Sequence, residues 1–382
     1  IRAKQLIDGL GGEQDRWQNN VNTLEENLKN TVGDVFISAG MVAYLGVFTS
    51  EYRDQSIKEC VKFCYKLSIP CSAKPTLMNT FGDPIQVRQW NIEGLPTDGF
   101  SIDNGIIIFQ SARWPLLIDP QGQANMWIKK HELENQLKVI KMTDSNFIRT
   151  IENSIQFGSP VLLENIGEEL DPSLDGLLIK SIFKQGGIEY IRMGDNVIEY
   201  SNQFRFYMTS KLRNPHYLPE VAVKVTLINF MTTPAGLQDQ LLTIVVAEEH
   251  PDLAAEKERL IIEGAQMDAT LKQCENDILH VLSTSEGNIL EDSAAINALN
   301  NLKKVSVEIN KKQAIAKVTE NKIDLVREEY VPVAFHAQLL YFCISDLVNI
   351  EPTYAYALRW FRNLFVSAIR NSEQSEDIIA RV

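Results

Sequence analysis

The sequence predicts an α/β region combined with all-α parts: a mostly parallel sheet, a smaller helical subdomain and a projecting antiparallel coiled-coil hairpin. Three observations predict it. Short apolar runs alternate with helical patterns between residues 76 and 231, as in a parallel sheet covered by helices. Apolar residues recur every seven positions in two blocks between residues 252 and 328. Dense apolar periodicity fills residues 33–67, and residues 331–369 are rich in aromatics, as in packed helices.

Taken in order, residues 1–30 read as helix, with Leu6, Leu10, Trp17, Val21, Leu24 and Leu28 at spacings of three, four and seven. The cluster Gly9, Gly11, Gly12 predicts a break between two helices. Residues 33–67 read as buried helices, and a boundary is expected at about residue 65. In the next region the runs 105–109, 115–118, 137–140, 160–163 and 204–208 read as strands. Residues 124–134 and 144–157 read as helices between them, and a second boundary is expected at about residue 232. The C-terminal part, 233–382, carries the heptads. Leu253, Leu260, Met267, Cys274 and Val281 lie seven apart, and so do Leu302, Ile309, Ala316 and Ile323. A polar turn at Ser283–Asn288 joins two arms of about thirty residues, roughly 45 Å each at ~1.5 Å per residue. Eight aromatics between Phe335 and Phe365 predict a packed helical segment after the hairpin.

The chain has 382 residues, 45% hydrophobic and 23% charged, which suits two or three folded domains. A net charge of -13 argues against nucleic acid as the main partner, because phosphate binding needs clustered Lys and Arg. Five Cys make no disulfide framework; reduced thiols in the cytoplasm are expected. Cys60, Cys64 and Cys71 lack a clear fourth zinc ligand and the usual spacing, so buried helix thiols are the preferred reading. No signal peptide opens the chain, and the apolar stretch Val35–Phe48 is too short to span a bilayer, so no membrane partner is expected. Both ends read as the middle of a longer protein.

The run 115–118 leads into Asp119-Pro-Gln-Gly-Gln-Ala-Asn-Met126 and then a helix, the context of a phosphate-binding loop. Such a loop needs glycines for close backbone approach, a Lys for the β and γ phosphates and a Ser or Thr for magnesium. Here Asp119 and Ala124 stand at the two glycine positions, Asn125 at the Lys and Met126 at the hydroxyl; Gly122 alone helps the turn. Asp119 sets a carboxylate against the place of a triphosphate. The run 160–163 ends in Glu164-Asn165, where an ATPase has Asp-Glu; Glu164 retains an ion-holding carboxylate, and Asn165 cannot serve as a base.

These segments resemble the dynein heavy chains of the axonemal type. The likeness rests on Gly94-Leu-Pro-Thr-Asp98, Trp114-Pro-Leu-Leu-Ile-Asp-Pro-Gln-Gly-Gln-Ala124, Pro160-Val-Leu-Leu-Glu-Asn165, Phe183-Lys-Gln-Gly-Gly187 and Lys211-Leu-Arg-Asn-Pro-His-Tyr-Leu-Pro-Glu220. Arg327-Glu-Glu-Tyr-Val-Pro332 and Phe342-Cys-Ile-Ser-Asp346 add to it. The resemblance implies a place in a ring of six AAA+ modules. Residues 1–65 would be the stalk base and the end of the fourth module, 66–232 the large subdomain of the fifth, and 233–382 its small subdomain. The hairpin 252–328 would be the strut that leans on the stalk, its seam including Leu260, Met267, Leu302 and Ile309. The resemblance also implies a module that binds no cofactor of its own, with ATP and magnesium at other modules of the parent. Expected partners are the neighbouring modules, the stalk, other dynein chains and, through the parent, a microtubule in the ciliary axoneme. Asn214 matches the family's sensor asparagine, and Arg213 is the nearest candidate for an interface arginine, with a structural ion pair as the plainer reading. A mechanical relay is the favoured function. A regulatory nucleotide-binding module is the alternative, and a free-standing coiled-coil scaffold leaves the α/β half unexplained.

Overall fold

The computed structural model describes residues 13–194, 196–284 and 293–373. They fall into two compact units: one comprises residues 32–240 with 337–365, the other 241–336 with the flanking ends of the chain. The break expected at Gly9–Gly12 and most of the hairpin turn lie outside the described residues.

The first unit is built on a five-stranded sheet. Its strands are β1 (Trp114–Ile118), β2 (Lys138–Lys141), β3 (Val161–Glu164), β7 (Phe206–Ser210) and β8 (Val225–Asn229), all parallel, in the order β2-β3-β7-β1-β8. Alternation along each strand divides the core in two. Leu116, Val161, Leu163, Phe206 and Met208 face one side, with Ile151 and Ile155 of the Phe147–Phe157 helix and Leu177 and Leu178 of a short helix. Leu117, Leu162, Tyr207 and Ile228 face the other, with Trp90, Ile107 and Trp127 from three helices. This is the helix-covered parallel sheet that the alternating runs predict.

One expected strand is helical. Residues 105–109 lie in the Gly99–Gln110 helix, whose first turn is capped by Asp98 accepting from the Ser101 N–H. A run of isoleucines buried on all sides gives no period, so apolarity alone does not separate the two. Asp98 decides it, by satisfying an N–H that a helix start leaves open.

Two features carry no assignment in the sequence. β8 forms the sheet edge beside β1. Residues 182–199 form an antiparallel meander, β4 (Ile182–Gln185), β5 (Ile188–Met193) and β6 (Asn196–Glu199). The β4–β5 turn uses Gly186 and Gly187, both at positive φ (62° and 87°), the geometry of a two-residue hairpin turn.

In the second unit, the helices Pro251–Thr284 and Ser293–Glu329, 34 and 37 residues long, pack against each other. Lys257, early in the first, bonds Asp324, late in the second, at 2.7 Å, which fixes the antiparallel sense. Cys274, Ile309 and Ile323 are buried, while Leu260 and Met267 are half-buried, as expected where a two-helix seam is covered from one side only. The Leu302 side chain lies outside the described residues. At the base, Arg370 donates twice to the Glu248 carboxylate (2.8 and 2.9 Å), and the ring of His250 meets the Tyr330 hydroxyl at 3.0 Å.

Among the described residues one helical stretch, 331–349, has the length and apolarity of a membrane span. Its buried residues Ala334, Ala337, Gln338, Tyr341 and Ser345 follow the spacing of one helix face, while Phe335, Leu339 and Leu340 on the rest of its surface are exposed.

Candidate functional site

The carboxyl ends of β1, β3 and β7 bring three polar segments together, where ligands bind in sheets of this kind. β1 ends at Ile118, and the chain turns through Asp119–Gly122 into the Gln123–His131 helix. Gly122 makes the turn at φ +76°, a left-handed conformation open to glycine at no steric cost. Ala124, in the first turn of that helix, is fully buried and Met126 is half exposed.

Asp119 does more than set a charge beside the loop. Its side chain is 2% exposed and folds back over the start of the helix. One carboxylate oxygen accepts from the Gln123 N–H at 2.8 Å and the other from the Asn125 N–H at 2.9 Å. These are the free donors that make a helix N-terminus an anion site. Burial pushes the Asp119 carboxyl up to about 6, against the pull of its amide bonds.

The next layer is equally self-contained. Asn125, at the Lys position of a working loop, donates its amide to Glu164 Oε1 at 2.8 Å. Lys129 meets the same oxygen at 2.5 Å. Burial raises the Glu164 carboxyl, yet the bonds from Lys129 and Asn125 outweigh it and hold the group below the usual glutamate range. Thr209 on β7 completes the cluster, its hydroxyl 3.4 Å from the Asn125 amide. Lys129 and Thr209 are absent from the sequence reading. Lys129 lies four residues beyond Asn125 on one helix face, which is the signal available for it.

Asn165 is exposed and sits at φ +57°, a backbone state that asparagine tolerates better than most residues. Asn214 is exposed and lies four residues beyond the end of β7; the β7 residue that reaches the Asn125 amide is Thr209. Arg213 donates to the Ser345 carbonyl at 2.8 Å and to its hydroxyl at 3.1 Å, a pair of hydrogen bonds where an ion pair is the plainer expectation.

A family model described as the ATP-binding dynein motor region matches residues 88–309. The chain belongs to that family. A second model, the microtubule-binding stalk of dynein motor, matches residues 1–65. Among curated relatives, the dynein axonemal heavy chain 3 of Mus musculus is 55% identical over 382 residues, and dynein axonemal heavy chain 1 of Homo sapiens is 49% identical over 381. Dynein axonemal heavy chain 2 of Homo sapiens is 41% identical over 382 residues. In each case the match covers all of this chain and 9% of the relative, so the chain spans about a tenth of the length of these proteins.

The family description names ATP, and the residues at the loop do not fit it. The Gln123 and Asn125 amides are taken, the cation position is Asn125, the magnesium hydroxyl is Met126, and Glu164 is neutralised within the chain by Lys129.

Proposed function

We propose that this segment is a non-catalytic AAA+ module, the fifth of the ring, in a ciliary dynein motor. It relays ring movements driven by ATP at other modules to the stalk, and so to microtubule affinity in the axoneme. One observation carries the reading: the Asp119 carboxylate occupies the backbone donors that would hold a phosphate. A loop closed by its own chain, with Glu164 tied to Lys129 and Asn125, is suited to rigidity rather than to nucleotide turnover. The hairpin of the second unit supplies the second half of the reading. Seam packing at Cys274, Ile309 and Ile323 stiffens a helix pair against bending, as a strut requires. Neighbouring modules, the stalk and other dynein chains are its partners in this scheme.

The test is a motor in which residues 285–292, at the hairpin turn, are replaced by a short Gly-Ser turn. ATP turnover in the ring continues, while ATP-driven release from microtubules weakens. Normal release removes the strut role. In parallel, photoreactive ATP analogues should leave the peptide 114–131 unlabelled; labelling there favours a regulatory nucleotide site.

A further inference from the structure

The helix Glu13–Gly40 continues as a π-helical turn, Met41–Leu45, and stops at Gly46. Such turns are rare, are frequent at functional sites, and are places where helices kink. Here the turn is followed at once by a buried junction. The Gly46 carbonyl accepts from the Asn229 N–H of β8 at 2.8 Å and from Arg53 Nη2 at 2.7 Å. Arg53, on the Ser50–Lys66 helix and 2% exposed, also donates to the Phe48 carbonyl at 3.1 Å and to Asn104 Oδ1 at 2.7 Å. Asn104, fully buried on the Gly99–Gln110 helix, returns its amide to the Asn229 carbonyl at 2.8 Å. Gly46, Arg53, Asn104 and Asn229 thus close a ring of hydrogen bonds.

The approach is tight. A Cβ at Gly46 would lie 2.6 Å from the Leu227 carbonyl oxygen of β8, so glycine is required for the contact. The guanidinium stands over the Phe100 ring at 4.2 Å. Arg53 Nη1 has no hydrogen-bond partner among the described residues. Burial lowers the Arg53 pKa to about 10, and burial likewise raises that of nearby Asp103 to about 6, although Arg53 pulls it down. A buried charge of this kind is poor economy for stability alone, since apolar packing often serves as well. What the guanidinium adds is direction: a planar fork that reaches three acceptors at once. The junction also leads onward. Phe230, after Asn229, donates its N–H to the Ile118 carbonyl at 2.9 Å, one residue before Asp119.

We infer that Arg53 is a positioning residue that locks the end of the first helix to strand β8. Displacement of residues 32–46 is then passed to the sheet as a rigid movement, and is not lost in the π-helical turn. The lock stands on the geometry alone; its mechanical use rests on the relay reading above.

The test uses the parent motor with Arg53→Met and, separately, Gly46→Ala, whose methyl group wedges the segment off β8 without touching the guanidinium. In both, amide hydrogen exchange at Asn229 should quicken by roughly tenfold, the effect of losing one hydrogen bond of ordinary net strength or somewhat more. Exchange in residues 138–164 should stay unchanged. Arg53→Lys, which keeps the charge and loses the fork, should fall between, and it carries the test with Gly46→Ala if Arg53→Met does not fold. Unchanged exchange at Asn229 in these variants overturns the lock. Where exchange quickens, ATP-driven microtubule release should weaken at undiminished ATP turnover, and normal release overturns the transmitting role. The hairpin-turn replacement separates the two ideas: normal release there with weakened release in the Arg53 variants removes the strut and leaves the lock.

Discussion

Replacing Asp119 by asparagine probes the closed loop at its centre. The Asp119 carboxyl rises from 3.8 to about 6 on folding, about 2 pKa units, which corresponds to about 3 kcal/mol against the ionised form. The sign follows from linkage. The folded state holds the proton more tightly than the unfolded chain, so stability from this group is fully present below 3.8 and is lost as pH rises through about 6. Asparagine is neutral at every pH and avoids that loss. It keeps one acceptor and turns an amide group toward the other backbone N–H, which costs about 1–3 kcal/mol. At about pH 7.5 the avoided loss equals or exceeds that cost, leaving Asp119→Asn between neutral and about 2 kcal/mol more stable. At about pH 4 the wild-type carboxyl is largely neutral, and the substitution should cost most of the 1–3 kcal/mol of the lost acceptor. The assay is the opening free energy of the Gln123 and Asn125 amides by hydrogen exchange in the parent motor, corrected for intrinsic rates, at both pH values. The reasoning fails if the difference does not change with pH. It fails more sharply if Asp119→Asn is the weaker protein at neutral pH and recovers on acidification, since the carboxylate would then be favoured by its amides over burial.

Two further predictions concern the same loop and the hairpin. Asn125→Lys alone should not bring labelling by photoreactive ATP to the peptide 114–131, because Asp119 still holds the amides; Asp119→Gly combined with Asn125→Lys should raise it, and equal labelling of the two variants contradicts the closed-loop account. Ile323→Ala, at a seam residue 2% exposed, should cost about 2–4 kcal/mol and lower the melting temperature of the hairpin region. Leu325→Ala, at a site 64% exposed, should stay within about 0.5 kcal/mol, and a similar loss at both sites would mean that the heptads do not define the seam.

Much of this fold was legible in the chain. Runs such as 115–118 and 160–163 are short and apolar and end at turn residues, which marks buried parallel strands. The heptads point to the helix pair because a spacing of seven keeps one stripe of each helix facing its partner. Residues 105–109 were misleading because a run buried on every side has no polar phase to reveal its period. The meander was hidden for a different reason: its strands are four to six residues long and its inward residues are few.

At the site, the sequence by itself determined which residue types stand in the loop. The absence of a lysine at Asn125 and of a hydroxyl at Met126 is a matter of identity, and identity is local. Only the tertiary structure decided what the replacements do. Asp119 reads as a repelling charge, and it becomes the occupant of the anion site because the turn at Gly122 directs its carboxylate onto two amides. Asn214 matches a sensor by motif, and the β7 residue that reaches Asn125 is Thr209, because the register of β7 against β1 and β3 sets which residue ends there. Arg53 carried no signal at all. Its partners Gly46, Asn104 and Asn229 are spread over more than 180 positions of the chain, and hydrogen bonds depend on distance in space, which sequence separation does not report.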